Sequence, residues 1–140
     1  MDWRVRKLAL NDLDSLFCLV EQFATSFKPD RSAFDLAVQH LILDESAWLC
    51  VVDCDGAVVG YCLGFAHYTF FANGRVAWIE EIMVKEDRRK MGIGKAMMQE
   101  FEKWASSRGA KLAALATRRA APFYTALGYE ESAVYFRKLL

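Results

Sequence analysis

The sequence predicts a mixed α/β fold: a twisted, mostly antiparallel central sheet with helices on both faces. Three observations carry that prediction. Two tight-turn pairs, Asp55-Gly56 and Asn73-Gly74, separate three apolar runs, the pattern of consecutive antiparallel strands. Helical periodicity recurs before and after those runs. The unit from Val76 to Ala116 reads strand, Gly-containing turn, helix, strand. Two strands joined through a helix are parallel, with a right-handed crossover.

The elements follow in order. Trp3 to Leu10 alternates loosely and suits a first strand. Asn11, with Asp14 three residues later, reads as a helix cap. Leu13, Leu16, Phe17, Val20, Ala24 and Phe27 keep the helical period, and Pro29 breaks it. Phe34, Ala37, Val38, Leu41 and Ile42 form a second helical face ending near Asp44. Trp48 to Val52 is an unbroken apolar strand, and Val58 to Tyr68 returns beside it. Gly60 and Gly64 within that run predict a bulge or a close backbone approach. Val76 to Val84 is the next strand. Met97, Met98, Phe101, Trp104 and Ala105 give a helical stripe ended by Arg108-Gly109. Leu112 to Ala116 reads as a buried strand. A short helix spans about Ala120 to Leu127, stopped by Gly128. Val134 to Leu139 reads as a last strand. The predicted order is β-α-α-β-β-β-α-β-α-β.

At 140 residues the chain is expected to be one domain, residues 1–140, with no linker and no repeat. Apolar residues make up 54%, which argues against disorder. The 18 basic and 18 acidic residues cancel, so a generic nucleic-acid binder is not expected. No apolar run reaches the roughly 18–20 residues of a membrane span, and Met-Asp-Trp-Arg does not resemble a signal peptide. Cys18, Cys50, Cys54 and Cys62 form no C-x-x-C pair, which suits free thiols in the cytoplasm. His40 and His67 stand singly, and no metal site is expected.

The chemistry-bearing stretch is Arg88-Arg89-Lys90-Met91-Gly92-Ile93-Gly94-Lys95, between a strand and a helix. The first N–H groups of a helix lack intrahelical partners and sit at the positive end of its dipole. A phosphate or pyrophosphate fits there. Gly92 and Gly94 would let the backbone approach closely, and the four basic side chains add charge. Two common phosphate motifs fail. A P-loop would need Gly at Arg89 and Ser or Thr at Ala96; a dinucleotide fingerprint would need Gly or Ala at Met97. A basic strand–helix turn without a ligand is the alternative.

What remains, R-x-x-G-x-G at Arg89–Gly94, resembles the coenzyme A pyrophosphate loop of the GNAT acetyltransferases. A second segment, Ala120-Ala121-Pro122-Phe123-Tyr124-Thr125-Ala126-Leu127-Gly128-Tyr129, is similar to the A-x-x-F-Y-x-x-L-G-[FY] run of that family. Both occur in family order with a strand between them, and the element order is that of the GNAT fold. The resemblance runs from about residue 3 to the last strand.

The resemblance implies an acetyl-CoA-dependent N-acetyltransferase. Acetyl-CoA would lie in a gap between the strand ending at Val84 and the strand Leu112 to Ala116. Its pantetheine arm would bond the backbone of Ile82, Met83 and Val84. Its pyrophosphate would meet the residues Arg89, Lys90, Met91, Gly92, Ile93, Gly94 and Lys95. Phe123 would lie beside the cofactor; many members carry an Asn in the preceding loop, for which Thr117 would stand in unless that contact is absent here. Tyr124 would donate a proton or hydrogen bond to the departing thiolate; a packed aromatic with its hydroxyl on a carbonyl is the alternative.

The attacking amine must be deprotonated, and Glu80 and Glu81 are the candidate bases. Strand alternation lets only one face the substrate unless a bulge intervenes. Glu80 is favoured because polyamine acetyltransferases of the family carry an acidic pair there. A solvated strand end or an ion pair is the alternative for each. Backbone N–H at Ile82 or Met83 could polarise the thioester carbonyl. The family sets substrate choice with its first two helices and the loop near Tyr68 to Gly74. Phe23, Phe27, Phe34, Tyr68, Phe70 and Phe71 there suit a partly apolar or cation-binding pocket. The acceptor is a primary amine of a small molecule, peptide or protein. A homodimer is compatible with the sequence. Two other readings stay open: a non-catalytic acetyl-CoA sensor on the same fold, and an O-acyl or longer-chain acyltransferase.

Overall fold

The computed structural model describes residues 2–140. Five strands form one sheet in the order β1-β2-β3-β4-β5. They are β1 Trp3–Lys7, β2 Ala47–Cys54, β3 Ala57–Thr69, β4 Gly74–Val84 and β5 Ala110–Leu115. The first four pair antiparallel and β5 pairs parallel to β4. The helices are α1 Leu13–Phe23, α2 Arg31–Leu41, α3 Ile93–Ser107 and α4 Ala121–Ala126.

Strand alternation divides the core in two. On one face, Cys50, Cys62, Ala77 and Ile79 meet Met97, Met98 and Phe101 of α3. On the other, Val51, Val58 and Tyr61 meet Leu16 and Leu19 of α1. Gly64 marks where α3 sits closest to the sheet. A Cβ there would lie 2.5 Å from Phe101 Cε1 and 3.0 Å from the Trp78 carbonyl oxygen. Both hairpin turns form, with Asp55 and Asn73 in the left-handed region at φ 53° and 58°.

The N-terminal cap differs from the expected Asn11/Asp14 pair. Leu10–Asp12 is a 3₁₀ turn, and α1 begins at Leu13. Asp12 organises it: its Oδ2 accepts from the Ala9 N–H at 2.8 Å, and both its oxygens accept from Arg6, at 2.7 and 2.8 Å. Arg6 Nε also donates to Asp53 at 3.1 Å, which ties β1 and the turn to the β2–β3 hairpin. The fork-on-carboxylate geometry is stronger than a shared cap, and it explains why Asp12 is buried. Helix α1 also stops a turn early. Ala24 is already extended, at φ −69° and ψ 134°, and Phe27 is exposed. Asp30, just past Pro29, caps α2 by accepting from the Ala33 N–H at 2.9 Å.

Two expectations for the far end of the chain fail. The apolar run Leu112 to Ala116 predicts a buried strand, but β5 is the outer strand and none of its residues is buried. The last strand, Val134 to Leu139, does not form: residues 130–140 take no regular structure, and their large apolar side chains are exposed. A strand pattern needs a neighbour to pair with, and this segment finds none within the chain.

Candidate active site

The site is built where β4 and β5 part. β5 pairs with β4 only from Arg75 to Ile79. From Glu81 to Val84, β4 keeps its antiparallel partner β3 on one edge and has no partner on the other among the described residues. The unpaired backbone of Ile82, Met83 and Val84 therefore lines one side of an open gap. Lys85 N–H donates to the Val59 carbonyl at 2.8 Å and fixes the strand end.

The loop after β4 follows directly on that unpaired strand end and leads into α3. Lys90 and Gly92 take the left-handed conformation, at φ 64° and 85°, which coils the backbone into the start of α3. None of the N–H groups of residues 90–95 donates to another backbone carbonyl; the first to do so is Ala96, to Gly92 O at 3.0 Å. That leaves a row of unpaired donors at the positive end of a 15-residue helix. Only Gly tolerates the Gly92 backbone without strain, and the space beside it is open. Gly94 is small for another reason: a Cβ there would lie 3.1 Å from the Phe123 ring. Lys90 and Lys95 are exposed, Met91 is half-buried, and Ile93 is buried in the core. Arg89 turns back, its Nε donating to the Val84 carbonyl at 3.0 Å.

Tyr124 on α4 is 7% exposed, against the core beneath the gap. Its ring sits edge-on between Phe123 at 4.9 Å and Tyr129 at 6.0 Å. No hydrogen bond within the described residues engages its hydroxyl, so the packed-aromatic alternative lacks its carbonyl partner. Burial, then the nearby Cys62 thiol, pushes its pKa up to about 12. The phenol thus stays protonated at neutral pH. Thr117 Oγ1 accepts from the Ala120 N–H at 3.1 Å and holds the turn into α4.

A bulge decides where the two carboxylates lie. Leu63 pairs with Glu81 and Gly64 with Ile79, so Glu80 is the extra residue. Ile79 and Ile82 both contact the α3 face, with Glu80 and Glu81 between them. Both carboxylates turn to the other face. Glu81 is half-buried and accepts from the Tyr61 hydroxyl at 2.7 Å. Glu80 is exposed and accepts from Trp78 Nε1 at 3.1 Å. Neither carboxylate is in an ion pair within the described residues.

Tyr61 is the residue that the sequence reading passed over. Burial first, then the Glu81 carboxylate, holds its pKa well above the ordinary phenol range, so it remains a donor. It is opposite Met83 in the ladder and reaches Glu81 diagonally. The signal was available only with the bulge counted into the hairpin register. Phe23 of α1 stacks edge-on to Tyr61, with ring centres 6.3 Å apart, and walls the same side. Phe34 instead packs on Phe17, and Tyr68, Phe70 and Phe71 stand exposed on the β3–β4 hairpin. Two surface hollows, of about 270 and 360 Å³, are lined by other residues.

A sheet that splays beside a helix-start anion loop is the frame of an acyl-CoA-handling transferase. The profile of the Acetyltransferase (GNAT) family matches residues 12–129, and the chain belongs to that family. Solved structures repeat the fold over nearly the whole chain. Glucosamine-6-phosphate N-acetyltransferase from Arabidopsis thaliana superimposes with a TM-score of 0.88 at 19% identity, covering 99% of each chain. An acetyltransferase from Trypanosoma brucei does so with a TM-score of 0.86 at 22% identity, covering 99% of this chain and 100% of that one. AAC(6')-Iy, in complex with a bisubstrate analog, CoA-S-monomethyl-acetylneamine, gives 0.82 at 19% identity, with 100% of both chains covered. No curated protein sequence matches significantly.

Proposed function

We propose that the protein is an acetyl-CoA-dependent N-acetyltransferase acting on a primary amine. The observation that carries this reading is the parting of β4 from β5 beyond Ile79, with the unpaired N–H row of residues 90–95 in the segment that follows the free strand end. The chain's own groups fit the cofactor. Unpaired donors and an open Gly92 suit a pyrophosphate, and the free edge at Ile82, Met83 and Val84 suits an extended amide-bearing arm. Bound there, acetyl-CoA supplies an activated acyl group whose carbon–sulfur bond breaks as a carbon–nitrogen bond forms.

Each remaining step falls to a named group. Glu81 takes a proton from the incoming ammonium and passes it to solvent, held in place by Tyr61. We favour it over Glu80 because it is the more buried and the better anchored. An N–H of Ile82 or Met83 stabilises the developing oxyanion. Tyr124 donates to the leaving sulfur and regains a proton from the amine nitrogen. Per turnover, one proton leaves to solvent and one ends on the thiol. Phe23 beside Tyr61 supports an acceptor with an apolar or cationic part, and four free thiols support a cytoplasmic setting. Neither a nucleic acid nor a membrane is expected as a partner.

The test has two readings. Millimolar acetyl-CoA should raise the thermal midpoint, since a native-state ligand at a hundredfold excess over Kd adds about 2.7 kcal/mol. A panel of polyamines, aminoglycosides, amino sugars, amino acids and short peptides should then reveal an amine that releases CoA thiol. No shift with either CoA or acetyl-CoA sinks the cofactor assignment. A shift with no turnover on any amine favours the sensor reading.

A further inference from the structure

The sheet face that carries Glu81 also carries an apolar floor that the core does not use. Alternation along β3 puts Tyr61, Leu63 and Phe65 on one face, and Cys62 and Gly64 on the face of α3. On β4, Trp78 lies between Ala77 and Ile79, which both face α3, so its ring turns to the Glu81 side. Phe65 pairs directly with Trp78, and Leu63 directly with Glu81. The indole of Trp78 is restrained by its hydrogen bond to Glu80, at 3.1 Å. Leu63, Phe65 and Trp78 are only half-buried, and among the described residues none of them packs against either half of the core.

This floor is selective in its chemistry. A carboxylate stands at one end and two aromatic rings follow it. Leu63 to Phe65 is one repeat of the strand, about 7 Å along its axis. An ammonium on Glu81 therefore reaches the Phe65–Trp78 pair through about two or three saturated carbons. Neither Tyr61–Phe65 nor Trp78–Val84 contains a Lys or Arg, so the floor holds no cation for a phosphate. Beyond Glu80, Glu81, the Tyr61 hydroxyl and the engaged Trp78 indole, these stretches put no polar side chain on this face. Sugar hydroxyls laid against it would lose water without gaining partners.

We infer that the acceptor is a primary amine joined by a short saturated linker to an aromatic ring, and that Phe65 and Trp78 select the ring. This acceptor class rests on the acetyltransferase reading above and narrows it. The ammonium meets Glu81, the linker crosses Leu63, and the ring packs on Trp78 with Phe65 beside it. Amino sugars and their phosphates are poor acceptors on such a floor.

Thiol release with phenethylamine, phenylpropylamine, butylamine, putrescine, glucosamine and glucosamine phosphate compares the classes directly. The ring-bearing amines should exceed the others in kcat/KM by about 10- to 100-fold, the worth of a filled apolar subsite. Trp78→Ala should shrink that preference about tenfold, by raising KM for the ring-bearing amine more than it lowers kcat. Trp78→Phe should keep most of it. In nitrogen–proton NMR spectra, phenethylamine should shift the Trp78 indole N–H signal saturably, and butylamine at the same concentration should not. Putrescine or an amino sugar that equals the ring-bearing amines in kcat/KM would overturn the inference and leave the acetyltransferase reading intact. A Trp78 signal that ignores phenethylamine would overturn it as well. A saturable shift without turnover on any amine would do the reverse, upholding the aromatic subsite and removing acyl transfer. The ranking and the spectra use the unaltered chain, so they decide the matter even if Trp78→Ala does not fold.

Discussion

Removing one oxygen from Tyr124 should slow catalysis and leave stability nearly unchanged. In the structure its ring is buried and its hydroxyl has no protein partner among the described residues. The hydroxyl oxygen is not among the buried unpartnered side-chain atoms, so it reaches the solvent of the open gap. Tyr124→Phe keeps the ring contacts with Phe123 and Tyr129 and exchanges only a solvated oxygen for hydrogen. The variant should therefore stay within about 1 kcal/mol of wild type in urea. Catalysis should suffer. A hydrogen bond to a charged acceptor is worth roughly 1.5–3 kcal/mol, and each 1.36 kcal/mol is a decade in rate. The expected fall in kcat is about 10- to 100-fold, with the acetyl-CoA Kd nearly unchanged. Thiol release under saturating amine measures the first, and a binding titration the second. A more basic leaving thiolate should enlarge the defect. An unchanged kcat, or a loss of more than about 1 kcal/mol of stability, would show that Tyr124 is only a packing residue.

Three further outcomes follow from the geometry. Glu81→Gln should lower kcat/KM for the amine at neutral pH and recover toward pH 10, where amines of pKa ~10 deprotonate unaided; Glu80→Gln should stay near wild type. Parallel pH profiles for all three proteins would move the base to a water chain. Gly94→Ala should weaken CoA binding by displacing the Phe123 ring, which the new methyl would meet at 3.1 Å, and Phe123→Leu should restore part of the loss. Strict additivity of the two substitutions would deny that the positions touch in solution. Stability should also fall above pH 10. Tyr61, Tyr124 and Tyr129 all have raised pKa values in the native state, from burial above all. Above the ordinary phenol range the unfolded chain loses those protons first, so each phenol can cost up to about 1.36 kcal/mol per pH unit. Urea midpoints that stay flat between pH 9 and 11 would contradict the burial of these rings.

The hairpins were legible because Asp55-Gly56 and Asn73-Gly74 impose their geometry locally. The loop was legible because Gly92 at φ 85° serves a local need as well. The role of Gly94 was not, because its neighbour Phe123 arrives from α4, far along the sequence. The placement of Glu80 and Glu81 was legible only as a condition: alternation allows one carboxylate on the substrate face, and the bulge at Gly64 allows two. Gly64 was read as a bulge or a close approach, and it is both. The pairing of Tyr61 with Glu81 depends on register across a bulged ladder, which no single run of residues encodes. The apolar run near 112 announced its strand but not its outer place in the sheet, and the run at 134–139 announced a strand that does not form. Whether such a run is covered depends on what lies beside it in space, and periodicity says nothing of that.

The close approach of Gly94 and Phe123 couples the first turn of α3 to α4. Phe123 and Tyr124 are consecutive, so a shift that moves one ring moves the other. A change at the anion loop is thus felt at the phenol without passing through the sheet. Positions 94 and 123 are consequently coupled: a side chain at 94 requires the Phe123 ring to give way. A substitution that loosens α4 should therefore also disturb the start of α3, and one that tightens the start of α3 should hold the Tyr124 ring more firmly.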